Sequence, residues 1–148
     1  MIITKADGCF IENEDGRRLI DTTMGSGAQI IGHNNPLIVK IAEQIKKGTI
    51  YTIPNCHTKK VNYLLKQHIN PDFYSNSGTE ANMRAIRLAR AFSRKSIIGR
   101  FHGGWHGGLD GFLEEHHSNK GVPIETNNLF KVLPYNDERC FEMITSDM

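Results

Sequence analysis

The residues best placed to do chemistry lie in two short runs, Ser75-Asn76-Ser77-Gly78-Thr79-Glu80-Ala81-Asn82 and Phe101-His102-Gly103-Gly104-Trp105-His106-Gly107-Gly108. In the first, Ser77 and Glu80 stand three apart ahead of an apolar-periodic stretch, the capping-box pattern of a helix start. A helix opening at Ser77 offers unpaired backbone N–H groups, two hydroxyls and the positive end of its dipole, a set that suits a phosphate. The same residues equally serve a helix that needs nothing but a cap. No lysine follows the glycine, so this is not a Walker A loop, and G-x-G-x-x-G is absent.

The second run has two readings as well. It is a glycine-rich turn with exposed histidines and a structural tryptophan, or a loop whose Trp105 stacks on a planar ligand at the carboxyl end of a strand, where open α/β sheets bind ligands. Glycines there let a ligand approach the backbone closely. His102 and His106 have the spacing of a helical metal pair, but Gly103 and Gly104 between them oppose a helix, and no acidic partner follows at a recognisable spacing. No metal is expected.

The elements that must position these runs alternate in type. Cys9-Phe10-Ile11-Glu12, the Asp15-Gly16 turn signal and Arg17 to Asp21 predict a β-hairpin. A glycine-rich connection follows, through Gly25-Ser26-Gly27 to Gly32-His33. Asn35-Pro36 then predicts a helix start, with Leu37, Ile38, Ile41, Ala42 and Ile45 on one face and Gly48 at the end. A second helix is expected from Thr58, with Val61, Leu64, Leu65 and His68 on one face. Phe73-Tyr74 reads as a short strand feeding the helix at Ser77, whose buried side is expected to carry Ala81, Ala85, Leu88, Ala89 and Phe92. Arg84, Arg87, Arg90 and Arg94 read as a solvated or interface stripe. Strands are expected over residues 96–101 and 129–133, an exposed polar loop over 114–128, and a helix from Glu138. His116-His117 in that loop carries no signal. Strand, helix and strand at this spacing predict a mostly parallel, helix-covered α/β sheet.

Composition narrows the function classes. The chain has 148 residues, with 39% hydrophobic and 23% charged, enough for one ordinary soluble domain. A net charge of +2 and no basic run longer than two argue against nucleic acid and membrane surfaces. The N-terminal residues lack a signal-peptide pattern, and Cys9, Cys56 and Cys140 are too scattered for a disulfide framework, so a cytoplasmic protein is expected.

Taken together, Ser77-Gly78-Thr79-Glu80-Ala81, Arg87-Leu88-Ala89-Arg90 and Trp105-His106-Gly107 resemble the class III (omega-type) aminotransferases, and within them the glutamate-1-semialdehyde 2,1-aminomutases. Asp15-Gly16 with Ile20-Asp21, Gly32-His33 with Pro36, and Pro134-Tyr135-Asn136-Asp137 extend the likeness along the chain. The resemblance implies fold type I of the pyridoxal-phosphate enzymes, with residues 1–35 as the N-terminal hairpin segment and 36–148 as the beginning of the cofactor-binding large domain. It also implies pyridoxal 5'-phosphate as cofactor, small amino and keto substrates, and a homodimer or pairing with a missing C-terminal part.

Carried over residue by residue, the resemblance implies that Ser77, Gly78 and Thr79 bind the cofactor phosphate. Trp105 stacks on the pyridine ring where tyrosine is usual, and His106 matches the family's adjacent histidine. Ser26 departs from a tryptophan-like position in the glycine-rich connection. None of the lysines stands in a context matching the family's Schiff-base lysine, which lies further downstream. The expectation is a truncated aminotransferase or aminomutase holding part of the cofactor site, with no catalytic residue of its own. The alternative is a non-catalytic module that binds a phosphorylated ligand or another subunit.

Overall fold

The structure is a computed structural model that describes residues 1–71, 73–113 and 119–148, with the backbone alone at Val39. Contacts divide the chain into two units, Met1–Leu64 and Leu65–Met148. In the first, β1 (Ile3–Asp7), β2 (Phe10–Asn13) and β3 (Arg18–Ile20) form an antiparallel sheet. The expected hairpin is the β2–β3 pair, with Phe10 opposite Ile20 and Glu12 opposite Arg18. β1 adds a strand the sequence reading did not expect.

The hairpin turn is organised by Asn13, a buried polar side chain. Its Oδ1 accepts from the Arg17 amide at 2.8 Å and its Nδ2 donates to Asp15 at 3.0 Å, while Gly16 takes the left-handed φ of 75° the turn requires. Beyond β3, Asp21 fastens the glycine-rich connection. Its Oδ1 accepts from the Thr23 amide, the Thr23 hydroxyl and the Met24 amide, and its Oδ2 lies 2.8 Å from His33 Nε2. These bonds, hydroxyl and imidazole included, hold the Asp21 carboxyl far below the usual range, the His33 contact first among them. Gly8 and His33 exchange backbone hydrogen bonds of 2.9 and 2.8 Å, closing the connection onto the sheet.

α1 spans Leu37–Ile45, and the Asn35 side chain accepts from the Leu37 amide at 3.0 Å, as the Asn-Pro start predicts. α2 spans Cys56–Leu65, opening ahead of the expected Thr58. Asn55 is the reason: its Oδ1 accepts from the amides of both His57 and Thr58, satisfying donors that would otherwise be orphaned. His68 falls in the turn beyond the helix end.

In the second unit, α3 (Gly78–Ser93) precedes β4 (Ile98–Phe101), and β5 (Phe130–Leu133) pairs with β4 in parallel, Ile98 opposite Phe130 and Phe101 opposite Leu133. The one-turn helices α4 (Ile124–Asn127) and α5 (Arg139–Glu142) flank β5 in sequence. α4 occupies the end of the stretch expected to be loop; the start of that stretch, with His116 and His117, lies outside the described residues. Residues 73–75 form no strand. β4 has β5 as its neighbour among the described residues, and an aromatic pair without a ladder partner has propensity but no sheet to join.

The buried face of α3 differs from the expected one. Leu88 is 61% and Phe92 91% exposed, whereas Ile86 is buried and Asn82 and Arg90 are half-buried along the same i, i+4 row. Periodicity marks the apolar face correctly, but in this chain hydrogen bonds from Asn82 and Arg90 decide which face meets its neighbours.

Candidate functional site

Ser77 is the N-cap of α3. In extended backbone, φ −151°, it accepts from the Glu80 amide at 3.2 Å. The reciprocal half of the capping box is displaced by one residue: Glu80 Oε2 accepts from the Asn76 amide at 3.1 Å. Glu80 Oε1 pairs with Arg84 at 2.8 Å, and this pairing, with the Asn76 amide, holds the Glu80 carboxyl below its ordinary value. The acid is thereby engaged away from the Gly78 and Thr79 amides, which have no acceptor among the described residues. A Cβ placed on Gly78 would meet nothing within 4 Å, so the space ahead of the first turn is open.

The glycine-rich loop begins where the parallel ladder ends. The His102 amide donates to Leu133 at 2.8 Å and Gly104 donates back to Phe101 at 3.3 Å. Gly103 turns the chain with φ 70°. Trp105 is 73% exposed, and the His106 Nε2–H donates to the Phe101 carbonyl at 3.4 Å.

Two hydrogen bonds then seat this loop on the first two turns of α3. The Asn82 side chain donates to the His106 carbonyl at 2.8 Å, and the Gly108 amide donates to Thr79 Oγ1 at 3.1 Å. Between them, Gly107 has φ 103°, and a Cβ there would lie 2.5 Å from Thr79 Oγ1 and 2.9 Å from Thr79 Cα. Because Thr79 Oγ1 accepts, its own hydroxyl proton remains available to donate outward.

The structure therefore brings all five sequence-derived residues together: Ser77, Gly78 and Thr79 at the helix N-terminus, Trp105 and His106 on the loop that rests against it. Sequence reasoning missed Asn82 and Gly107. Their signal was present in spacing, since Asn82 stands one helical turn after Thr79 and Gly107 follows the tryptophan-histidine pair. Among the described residues no three His, Cys, Asp or Glu side chains cluster in a metal-binding group.

The chemistry of this donor set matches a phosphorylated planar group: open amides at the start of a 16-residue helix, an outward hydroxyl, and an exposed indole on the adjoining loop. The architecture is that of an α/β protein whose parallel strands end in a loop over a helix N-terminus.

Comparison with known proteins gives that class a family. Residues 1–146 match the family described as Aminotransferase class-III, and the chain belongs to it. It is 37% identical to a glutamate-1-semialdehyde 2,1-aminomutase of Sulfurisphaera tokodaii over 153 residues, covering 95% of this chain and 36% of the relative. A second aminomutase, from Thermoplasma acidophilum, is 36% identical, covering 97% and 37%. Among solved structures, an omega-transaminase from Sphaerobacter thermophilus superposes with a TM-score of 0.78 at 28% identity, covering 96% of this chain and 38% of the transaminase. A transaminase with PLP bound gives 0.81 at 26% identity, over 96% and 37%. The fold is thus part of fold type I of the pyridoxal-phosphate enzymes, and pyridoxal phosphate is the cofactor of the family. The chain spans little more than a third of the length of the relatives it matches.

Proposed function

We propose that this chain supplies the phosphate-holding and ring-facing part of a pyridoxal-phosphate site of the glutamate-1-semialdehyde aminomutase type, acting on small amino and keto substrates. The observation that carries the proposal is the pair of hydrogen bonds, Asn82 to His106 and Gly108 to Thr79, which ties an exposed indole to a helix N-terminus. The Gly78 and Thr79 amides and the Thr79 hydroxyl hold the phosphate, and Ser77 fixes their direction by capping the helix. Trp105 covers one face of the ring, and His106 seats the loop that carries it. Pyridoxal phosphate bound there supplies an electron sink for bond breaking at the amino-bearing carbon.

Residues 1–35 are the hairpin segment and 36–148 the start of the large domain in this reading, and the catalytic lysine comes from the part of the family fold that this chain does not span. A homodimer and a cytoplasmic setting belong to the same proposal; three free cysteines support the latter. The uncovered apolar side of α3, with Leu88 and Phe92 exposed, supports a second reading as a subunit-interaction module. Co-purification with a full-length class III subunit, without amino-group transfer by the pair, would favour that second reading.

Trp105 is the chain's single tryptophan, which makes its emission a specific probe. Titration with pyridoxine 5'-phosphate, which lacks the aldehyde and so cannot react with surface lysines, is expected to quench it saturably. Inorganic phosphate should compete. Gly78→Val keeps the backbone N–H but puts bulk into the open space ahead of the first turn, and should weaken binding about tenfold or more, equivalent to one charge-assisted hydrogen bond. No quenching, or quenching indifferent to Gly78→Val, would overturn the proposal.

A further inference from the structure

The side of the tryptophan loop turned toward the protein rests on a row of aromatic contacts that the proposed cofactor site does not use. The His106 ring packs against Phe112, centroids 5.6 Å apart and tilted by 49°. Phe112, 8% exposed, meets Phe130 edge to face at 5.4 Å. The Arg90 guanidinium lies over the Phe130 ring with Cζ 5.5 Å from its centroid, and Arg90 Nε donates to the Ser96 carbonyl at 2.9 Å. Arg90 Nη2 is buried without an acceptor among the described residues; the ring face beneath the guanidinium is what compensates it. Gly111 is glycine for the same reason of space, since a Cβ there would fall 1.8 Å from the Phe130 ring. The row thus runs from the last turns of α3, across the start of β5, to the residue next to Trp105.

The geometry points to Phe112 as a positioning residue for Trp105, acting through His106. A glycine-rich loop has little stiffness of its own, and the hydrogen bonds of His106 and Gly108 tie its second half to α3. The orientation of the imidazole is set by two further contacts, the Phe101 carbonyl that Nε2–H reaches and the Phe112 ring against its face. With the imidazole held inward, the neighbouring indole is presented to solvent from a fixed backbone. Arg90 anchors the far end of the row, because it grips both Phe130 and the chain just before β4. The inference rests on the proposed function for the purpose of the loop; the contacts stand without it.

Time-resolved anisotropy of Trp105 in the ligand-free chain tests the row directly. Phe112→Leu keeps apolar volume and removes the ring; it is expected to shorten the slow local component of the decay. Arg90→Lys, which keeps charge but loses the planar fork and the Nε donor, should do the same to a smaller degree, and serves as the decisive variant if Phe112→Leu does not fold. Ile86→Ala, a core truncation one turn before Arg90 that removes none of the ring contacts of the row, should lower thermal stability and leave the decay unchanged. Affinity for pyridoxine 5'-phosphate should fall about tenfold in Phe112→Leu, the effect of having to order one further side chain on binding, with affinity for inorganic phosphate unchanged. An unchanged decay in Phe112→Leu, or an equal change in Ile86→Ala, overturns the positioning role. Failure of the unmodified chain to bind pyridoxine 5'-phosphate instead overturns the proposed function and leaves the anisotropy comparison to decide this one.

Discussion

Gly107 shows how a single backbone position ties the two halves of the site together. Its φ of 103° lies outside what side-chain-bearing residues adopt, and an added methyl would press on the Thr79 Cα as well as on its hydroxyl. Rotation of the threonine therefore gives no relief. Gly103, in the same loop, is a useful contrast: its φ of 70° is left-handed, but a Cβ there would meet nothing within 4 Å. Gly103→Ala should cost about 1 kcal/mol, the left-handed penalty alone. Gly107→Ala should cost about 3 kcal/mol, because overpacking against backbone adds to strain. Urea unfolding of the two variants checks the difference; equal losses would mean that the loop does not sit on Thr79 as described. The glycines were legible in the sequence as a class, but which of them bears the contact depends on a partner on α3, a fact that spacing alone does not contain.

Among elements, helix starts were the most readable feature, since a cap is a local transaction between neighbours. Ser77 was found where expected, and Asn35 caps α1 as its Asn-Pro pair predicts. Asn55 was overlooked because threonine at 58 also looks like a cap, and the choice between them turns on which amides are left without partners. The strand expected at 73–74 and the buried face of α3 were misread for a different reason: both depend on what lies across the sheet. The glycine-rich connection between β3 and α1 carries in its sequence no sign of what holds it, and Asp21 and His33 clasp it. That clasp has a pH consequence. Asp21 holds its proton far less tightly in the folded chain than an ordinary aspartate, so as pH falls below about 4 the unfolded chain takes up the proton first. Stability is therefore complete above that value and declines as the solution is acidified toward the folded-state value. Asp21→Asn should flatten this acid limb and destabilise the connection at neutral pH, measured by circular dichroism and by amide exchange at Thr23 and Met24. An acid limb unchanged by the substitution would remove Asp21 from its cause.

For the molecule as a whole, the surface exposes more than its size requires. The chain presents 12095 Å². Two separately folded units of these lengths would together present about 9,200 Å². The excess is apolar in character: Leu37, Ile41 and Ile45 on α1 and Leu88 and Phe92 on α3 are all more than half exposed, while the buried hydrophobic residues among those described are Ile86, Phe112 and Leu133. A helix face of this kind gains nothing from its amphipathic pattern until something covers it, and at about 25 cal/mol for each square ångström buried the incentive to find cover is large. Isolated in solution, the 148-residue chain should therefore self-associate with rising concentration. Leu88→Ser with Phe92→Ser should suppress that association several-fold in light scattering without lowering helical content, because both side chains are more than half exposed. A chain that stays monomeric at high concentration, or a double variant that loses its helix, would show that this face is already satisfied. The same substitutions lie on the side of α3 away from the Asn82, Ile86 and Arg90 row, so pyridoxine 5'-phosphate binding should survive them. Association and ligand binding would then be separable properties of one helix, the first set by its outer face and the second by its first turn.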